Sequence, residues 1–122
     1  IPLRLVGSEM CIRDRVIMMK VVNKEEFNKV INETDIVIVD FFATWCGPCK
    51  MLSPVLEEVA EAKKDEITII KVDVDDEVEL ANKYHISSIP TILIFKKGQI
   101  VDSAIGYRSK KNILDMLEKV SQ

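Results

Sequence analysis

The sequence predicts an α/β protein in which helices cover both faces of one mixed sheet, a three-layer sandwich. Apolar strand-like segments first alternate with amphipathic helical segments, an order typical of parallel strands. The chain then ends in two strand-like segments joined by a tight turn and a last helix, which adds antiparallel pairing. With 122 residues, of which 48% are hydrophobic and 30% charged, the chain suits one domain rather than two.

The first half contains two predicted strands and a helix between them. Residues 18–22 are short and apolar and suit an edge strand. Asn23 offers a helix N-cap, and Phe27 and Ile31 fall on one face of the helix that follows. The run Ile36–Phe42, IVIVDFF, is almost continuously β-branched or aromatic, which indicates a strand buried on both faces.

The second half supplies the remaining elements. Gly98 lies at the tip of a predicted hairpin, and Ser109 offers a cap for the last helix. The elements predicted after Ile36–Phe42 are a long amphipathic helix following Cys49, a strand at 67–74, a short helix at 78–84, strands at 91–95 and 100–105, and the final helix after Ser109.

Charge and hydropathy exclude two classes of partner. The chain has 17 basic and 20 acidic residues, a net charge of −3, so it offers no basic surplus to neutralise phosphates and nucleic acid is not expected as the main partner. No apolar run approaches the ~20 residues that cross a bilayer, and no membrane partner is expected.

The first seventeen residues do not share the pattern of the rest. Residues 1–17 show neither helical nor strand periodicity, and they lack the apolar core and cleavage site of a secretory signal. The stretch VGSEMCIRDR resembles translated adapter or assembly sequence, which makes Met18 or Met19 a sensible start; a genuine, partly ordered extension is the alternative. We predict a non-native or disordered extension at 1–17 and one domain at 18–122.

Three cysteines are too few, and the wrong number, for a typical disulfide-stapled secreted domain. Cys46 and Cys49 form a Cys-Gly-Pro-Cys run, and Cys11 stands alone. The pattern favours a redox or a metal motif in a reducing compartment. A structural zinc needs four ligands, and only Cys11 and His85 could complete the set, so no metal site is expected.

The position of the cysteine pair indicates thiol chemistry. It lies between a predicted strand and a predicted helix start, where unpaired backbone N–H groups and the helix dipole stabilise a thiolate on Cys46. A thiolate is the attacking species in disulfide exchange. Cys49, one helical turn further on, faces Cys46 and can resolve a mixed disulfide. Pro48 suits the first helical turn, where its missing N–H costs nothing.

The run Trp45-Cys46-Gly47-Pro48-Cys49-Lys50 matches the active-site signature of the thioredoxin family, and three distant segments agree with it. The resemblance covers residues 18–122. It implies the thioredoxin fold, a central mixed five-stranded sheet flanked by four helices, and reduction of protein disulfides with recharging by a thioredoxin reductase. Phe42 departs from the family, which often has a second tryptophan there. The supporting matches are Val39-Asp40-Phe41, Ile70-Lys71-Val72-Asp73, Ile89-Pro90-Thr91, Gly98 and Gly106.

The resemblance also implies a role for each matching residue. Asp40 would accept the proton of Cys49, with Lys71 as its partner; a purely structural buried pair is the alternative. Pro90 would be a cis-proline facing the cysteines, with Ile89 pairing an extended client segment. The implied client-binding residues are Trp45, Gly47, Pro48, Ile89, Pro90, Ile105 and Gly106.

We therefore expect a cytoplasmic, monomeric protein-disulfide reductase that needs no metal or organic cofactor. Its expected partners are disulfide-containing client proteins and a thioredoxin reductase, either flavin- or ferredoxin-dependent. Two alternatives stay open: an oxidising or isomerising protein of the same fold, and a redox-independent binding subunit of a larger assembly.

Overall fold

Four helices and four strands form the part of the chain that the computed structural model describes, residues 20–63 and 66–121. The elements in chain order are α1 (Lys24–Glu33), β1 (Ile36–Phe42), α2 (Gly47–Ala62), β2 (Thr68–Asp73), α3 (Val78–Lys83), β3 (Thr91–Lys96), β4 (Gln99–Ile105) and α4 (Lys110–Ser121). Apart from the first predicted strand, the order of strands and helices matches the prediction.

The sheet is mixed, with the strand order β2-β1-β3-β4. β1 runs parallel to β2 and antiparallel to β3, and β4 forms an antiparallel hairpin with β3. The alternation of strands and helices predicted parallel pairing, but only β1 and β2 pair in parallel among the described strands. The six residues of α3 rise only about 9 Å, whereas a six-residue strand spans about 20 Å. α3 by itself does not span the length of a strand, and β3 starts at the edge of the sheet where β2 ends.

The fifth strand predicted at 18–22 is reduced, among the described residues, to an isolated parallel bridge between Val21 and Lys71. The Val22 N–H donates to the Lys71 carbonyl at 2.9 Å, and the Lys71 N–H donates to the Lys20 carbonyl at 3.0 Å. Pairing stops there because Asn23 already forms the capping box of α1. Residues 18 and 19 lie outside the described part, so the described sheet has four strands rather than five.

Each face of the sheet carries its own apolar core, which confirms the three layers. One core joins Ile38 of β1 and Ile92 of β3 to Leu52 and Leu56 of α2 and Ile113 of α4. On the opposite face, the second core contains aromatic rings in edge and tilted contacts. Its largest members are Phe27, Phe41, Tyr84 and Phe95.

The predicted domain boundary at residue 18 falls outside the described residues and stays a prediction. Both cores are built from described residues, so we expect a chain starting at Met18 to unfold with the same free energy as the full chain. Denaturant unfolding of the two chains checks this. A loss of more than about 1 kcal/mol, out of the 5–15 typical of domains, would show that residues 1–17 contribute to the fold.

Candidate active site

Cys46 lies at the N-terminus of α2, immediately after the turn that leaves β1. Its backbone is extended, and α2 begins at the next residue with Pro48 in the first turn. The Cys46 sulfur accepts a hydrogen bond from the Cys49 N–H at 3.2 Å. The Cys46 Sγ thus occupies the position of a helix cap, where a developing negative charge meets the positive end of the helix.

Cys46 and Cys49 are joined by a disulfide, with a Cα–Cα distance of 5.3 Å. Both residues are buried, with 5% and 3% of their surface exposed, and they pack with Ala43, Phe42 and Ile89. Burial therefore does not distinguish an attacking cysteine from a resolving one in this state. Their positions do, because only Cys46 occupies the cap.

Trp45 lies on the surface beside this pair, with 69% of its area exposed. Its indole Nε1 donates to Asp75 Oδ2 at 2.9 Å, and the Asp75 N–H in turn donates to Asp73 Oδ1 at 2.9 Å. Sequence reasoning missed Asp75. The acidic run VDVDDE, which spans the end of β2, was the available signal, because β2 lies beside β1 and its carboxyl end is near the cysteine turn.

The Ile89–Pro90 peptide bond is cis, as the resemblance implied. Ile89 packs against the two cysteines, and Pro90 itself is buried. The Gly106 N–H donates to the Pro90 carbonyl at 2.7 Å, and Gly106 has a φ of +87°, which suits glycine. Ile105 is 61% exposed, so an apolar side chain faces solvent next to the proline.

The structure thus places the seven implied client-binding residues in two groups near the disulfide. Trp45, Gly47 and Pro48 are exposed around Cys46 itself. Ile89 contacts the cysteines from the β3 side, and the hydrogen bond at Pro90 connects it to the Ile105–Gly106 turn.

Asp40 is fully buried in the middle of β1. Strand alternation puts it on the same sheet face as Ile38 and Phe42, the face covered by α2. Neither carboxylate oxygen has a hydrogen-bond partner. Burial raises the pKa of Asp40 from 3.8 to about 7, and the positive charge of Lys71 opposes that rise. A carboxyl group with this pKa exchanges protons near neutral pH.

Lys71 lies directly opposite Asp40 in the register of β1 and β2, but the two side chains form no ion pair. The Lys71 Nζ instead donates to Ser53 Oγ at 2.8 Å and lies 4.7 Å from the centre of the Phe42 ring. Ser53 Oγ donates to the Cys49 carbonyl at 3.4 Å. Lys71 therefore acts on Asp40 through its charge rather than by contact. Sequence reasoning missed Ser53, although its position one turn after Cys49 was a usable signal.

Across residues 20–63 and 66–121, no three His, Cys, Asp or Glu side chains are grouped to hold a metal ion. His85 is exposed and has a left-handed backbone, while Cys11 lies outside the described residues. Over the same ranges, no helix has both the length and the apolar character needed to span a bilayer.

A cysteine pair that closes a disulfide at a helix N-terminus, on an α/β/α sandwich, defines a thiol–disulfide oxidoreductase. The thioredoxin family model matches residues 18–119. Thioredoxins of Staphylococcus aureus are 45% identical to the chain over 102 residues, 84% of this chain and 96% of theirs. The chain belongs to the thioredoxin family, and it acts as a protein-disulfide reductase through the Cys46–Cys49 dithiol.

Solved thioredoxin structures agree with this assignment. A mutant thioredoxin from Halobacterium salinarum superposes with a TM-score of 0.79 at 34% identity, covering 85% of this chain and 90% of that one. A Plasmodium falciparum thioredoxin superposes with a TM-score of 0.76 at 39% identity, covering 83% of this chain and 97% of that one. The fold and the function predicted from the sequence are confirmed. The roles of the individual site residues stay predictions.

Proposed function

We propose that Cys46 is the attacking cysteine and Cys49 the resolving one. The Cys46 thiolate attacks one sulfur of a client disulfide, a mixed disulfide forms, and the other client sulfur leaves as a thiolate that takes up a proton. The Cys49 thiolate then attacks the Cys46 sulfur and releases the second client thiol. Two electrons pass to the client, and Cys46–Cys49 is left oxidised. The capping hydrogen bond from the Cys49 N–H to the Cys46 sulfur is the observation that carries this assignment.

Asp40 is the proton acceptor for Cys49 in this mechanism. Cys49 must lose its proton before it can attack, and Asp40 lies buried on the sheet face that α2 covers, with no hydrogen-bond partner. Its raised pKa lets it take a proton near neutral pH and release it later. Lys71 moderates that pKa through its charge.

Client docking uses the apolar surface beside the disulfide. An extended client segment pairs with the backbone of Ile89, in the manner of strand addition, while exposed apolar groups of Trp45 and Ile105 contact the residues that flank the client disulfide. Gly47, Pro48 and Gly106 leave room for the client because they carry little side-chain bulk, and buried Pro90 fixes the backbone of Ile89.

The chain works as a cytoplasmic monomer that a thioredoxin reductase recharges. Thioredoxins in general accept electrons from such a reductase and pass them to disulfide clients. The electron donor is either a flavin-dependent or a ferredoxin-dependent reductase, and no metal or organic cofactor of the chain itself takes part.

Reductase-coupled reduction of insulin tests this function. We expect the chain to reduce insulin disulfides catalytically with a flavin-dependent reductase and NADPH, or with a ferredoxin-dependent reductase and reduced ferredoxin. Cys46→Ser is the matched control and should be inactive in both arms. A chain that folds but turns over with neither reductase would favour the redox-independent binding subunit. A reduction potential less negative than that of the glutathione couple would favour the oxidant or isomerase.

A further inference from the structure

We propose that Ser53 is a positioning residue: its hydroxyl holds the ammonium group of Lys71 away from Asp40 and thereby preserves Asp40 as a base for Cys49. The inference rests on the proposed function, in which Asp40 accepts the Cys49 proton. It assigns a task to a residue on α2 that neither attacks nor resolves a disulfide.

The geometry around Lys71 carries the proposal. The Lys71 Nζ is 2.8 Å from Ser53 Oγ and 4.7 Å from the centre of the Phe42 ring. Both contacts direct the ammonium toward α2 and the end of β1. Asp40, the register partner of Lys71, is left with two buried oxygens that have no partner. A flexible lysine next to a buried carboxylate would ordinarily pair with it, so something must hold this lysine elsewhere.

Ser53 is suited to that task because its hydroxyl has two fixed neighbours. It accepts from Lys71 and donates to the Cys49 carbonyl at 3.4 Å, one helical turn earlier. The second contact anchors the hydroxyl on the same turn that carries the resolving cysteine. Two arrangements therefore compete: Lys71 on Ser53 with Asp40 protonated, or Lys71 paired with an ionised Asp40. The Ser53 hydroxyl favours the first.

Few other groups near Asp40 can shift the equilibrium between these two arrangements of Lys71. On the sheet, Asp40 lies between Lys71 of β2 and Ile92 of β3. Among the described residues, the side chains that α2 and α4 contribute to the apolar core on this face carry no charge; the polar groups that α2 adds there are the sulfur of Cys49 and the hydroxyl of Ser53. In the oxidised protein Cys49 does not titrate, so Lys71 is then the charged group facing Asp40. Burial raises the pKa of Asp40 and Lys71 lowers it, and the distance to the ammonium sets the size of the lowering.

The consequence for turnover follows from the strength of the base. If Lys71 moved onto Asp40, the ion pair would lower the pKa of the carboxyl group, because an opposite charge nearby favours the ionised form. Asp40 would then be a weaker base and would take the Cys49 proton more slowly near neutral pH. Ser53 thus keeps Asp40 effective as a base for Cys49 near neutral pH.

The test is a carboxyl-carbon NMR titration of Asp40 in the oxidised full-length protein. We expect Ser53→Ala to lower the Asp40 pKa by about one unit, the lower end of the effect of a close opposite charge. Alanine is a good helix former, so α2 should be retained, which circular dichroism checks. Ser53→Thr keeps a hydroxyl and should keep the wild-type pKa. In a Lys71→Met background, Ser53→Ala should have no further effect.

Three results would overturn the proposal: an Asp40 pKa that stays the same or rises in Ser53→Ala, an equal fall in Ser53→Thr, or the same fall when Lys71 is methionine. The titration needs neither reductase nor client, so it remains informative even if the chain reduces no disulfide. When insulin reduction is measured as a function of pH, the acidic limb of the rate profile should move to lower pH in Ser53→Ala, and the plateau rate should be lower.

Discussion

Cys49→Ser is expected to turn the short-lived mixed disulfide into a species that can be isolated. The variant keeps Cys46 at the N-cap of α2 and therefore keeps the attacking thiolate, but the sulfur that would displace the client is gone. The hydrogen bond at the cap comes from the backbone N–H of residue 49, so the substitution need not disturb it. Client proteins from a cell extract should accumulate as covalent adducts on the affinity-purified variant.

Cys46→Ser is the matched control, since it retains one thiol in the same turn. It should trap almost no clients, because Cys49 lies inside the helix and away from the cap. The measurement is a non-reducing gel, on which adducts run as high-mass bands that dithiothreitol removes. Equal trapping by both variants would mean that the nucleophile is misassigned. Trapping by neither would contradict the reductase mechanism and favour a binding subunit.

Local sequence patterns predicted most of the fold because they report burial directly. The run of β1, apolar except for Asp40, indicated a strand covered on both faces, and the glycine turn between β3 and β4 indicated the hairpin. The direction of β3 was not predictable in this way. It depends on the path of the whole connection between β2 and β3, of which α3 is only a part, and no local pattern determines that path.

The active site was predictable from the sequence to a similar extent. Cys46 and Cys49 were predictable because one turn of helix determines how they face each other. The contact between Lys71 and Ser53 depends on which rotamer a long side chain adopts between two elements, and no spacing rule encodes that choice. The resemblance implied Lys71 as the partner of Asp40, and the strand register places the two residues opposite each other. It could not predict that the ammonium points elsewhere.

Asp40→Asn is expected to stabilise the protein, and by an amount that depends on pH. Because the native pKa of Asp40 is about 7 rather than 3.8, the native state binds more protons than the unfolded state between about pH 4 and pH 7. The free energy of unfolding therefore falls as pH rises through that window. The cost of burying the ionised carboxylate is absent below about pH 4 and complete above pH 7. There the difference between the native and the unfolded pKa corresponds to about 4 kcal/mol at most.

Denaturant unfolding of the oxidised wild-type and Asp40→Asn proteins at pH 4 and pH 8 measures this effect. The two should have nearly equal stability at pH 4, where both side chains are neutral. At pH 8 the asparagine variant should be more stable by roughly 1–4 kcal/mol. An amide buried without hydrogen-bond partners itself costs free energy and brings the gain toward the lower value. A gain of the same size at both pH values would mean that ionisation of Asp40 is not its cause.

The same variant should reduce disulfides more slowly, because Cys49 loses its proton acceptor. We expect a fall in the rate of insulin reduction of about a hundredfold near pH 6–7, the lower end of general-base contributions. The deficit should shrink toward pH 9, since a growing fraction of the thiol then ionises without help. A protein that is stabilised at pH 8 yet reduces insulin at the wild-type rate from pH 6 to pH 9 would leave Asp40 with a structural role only.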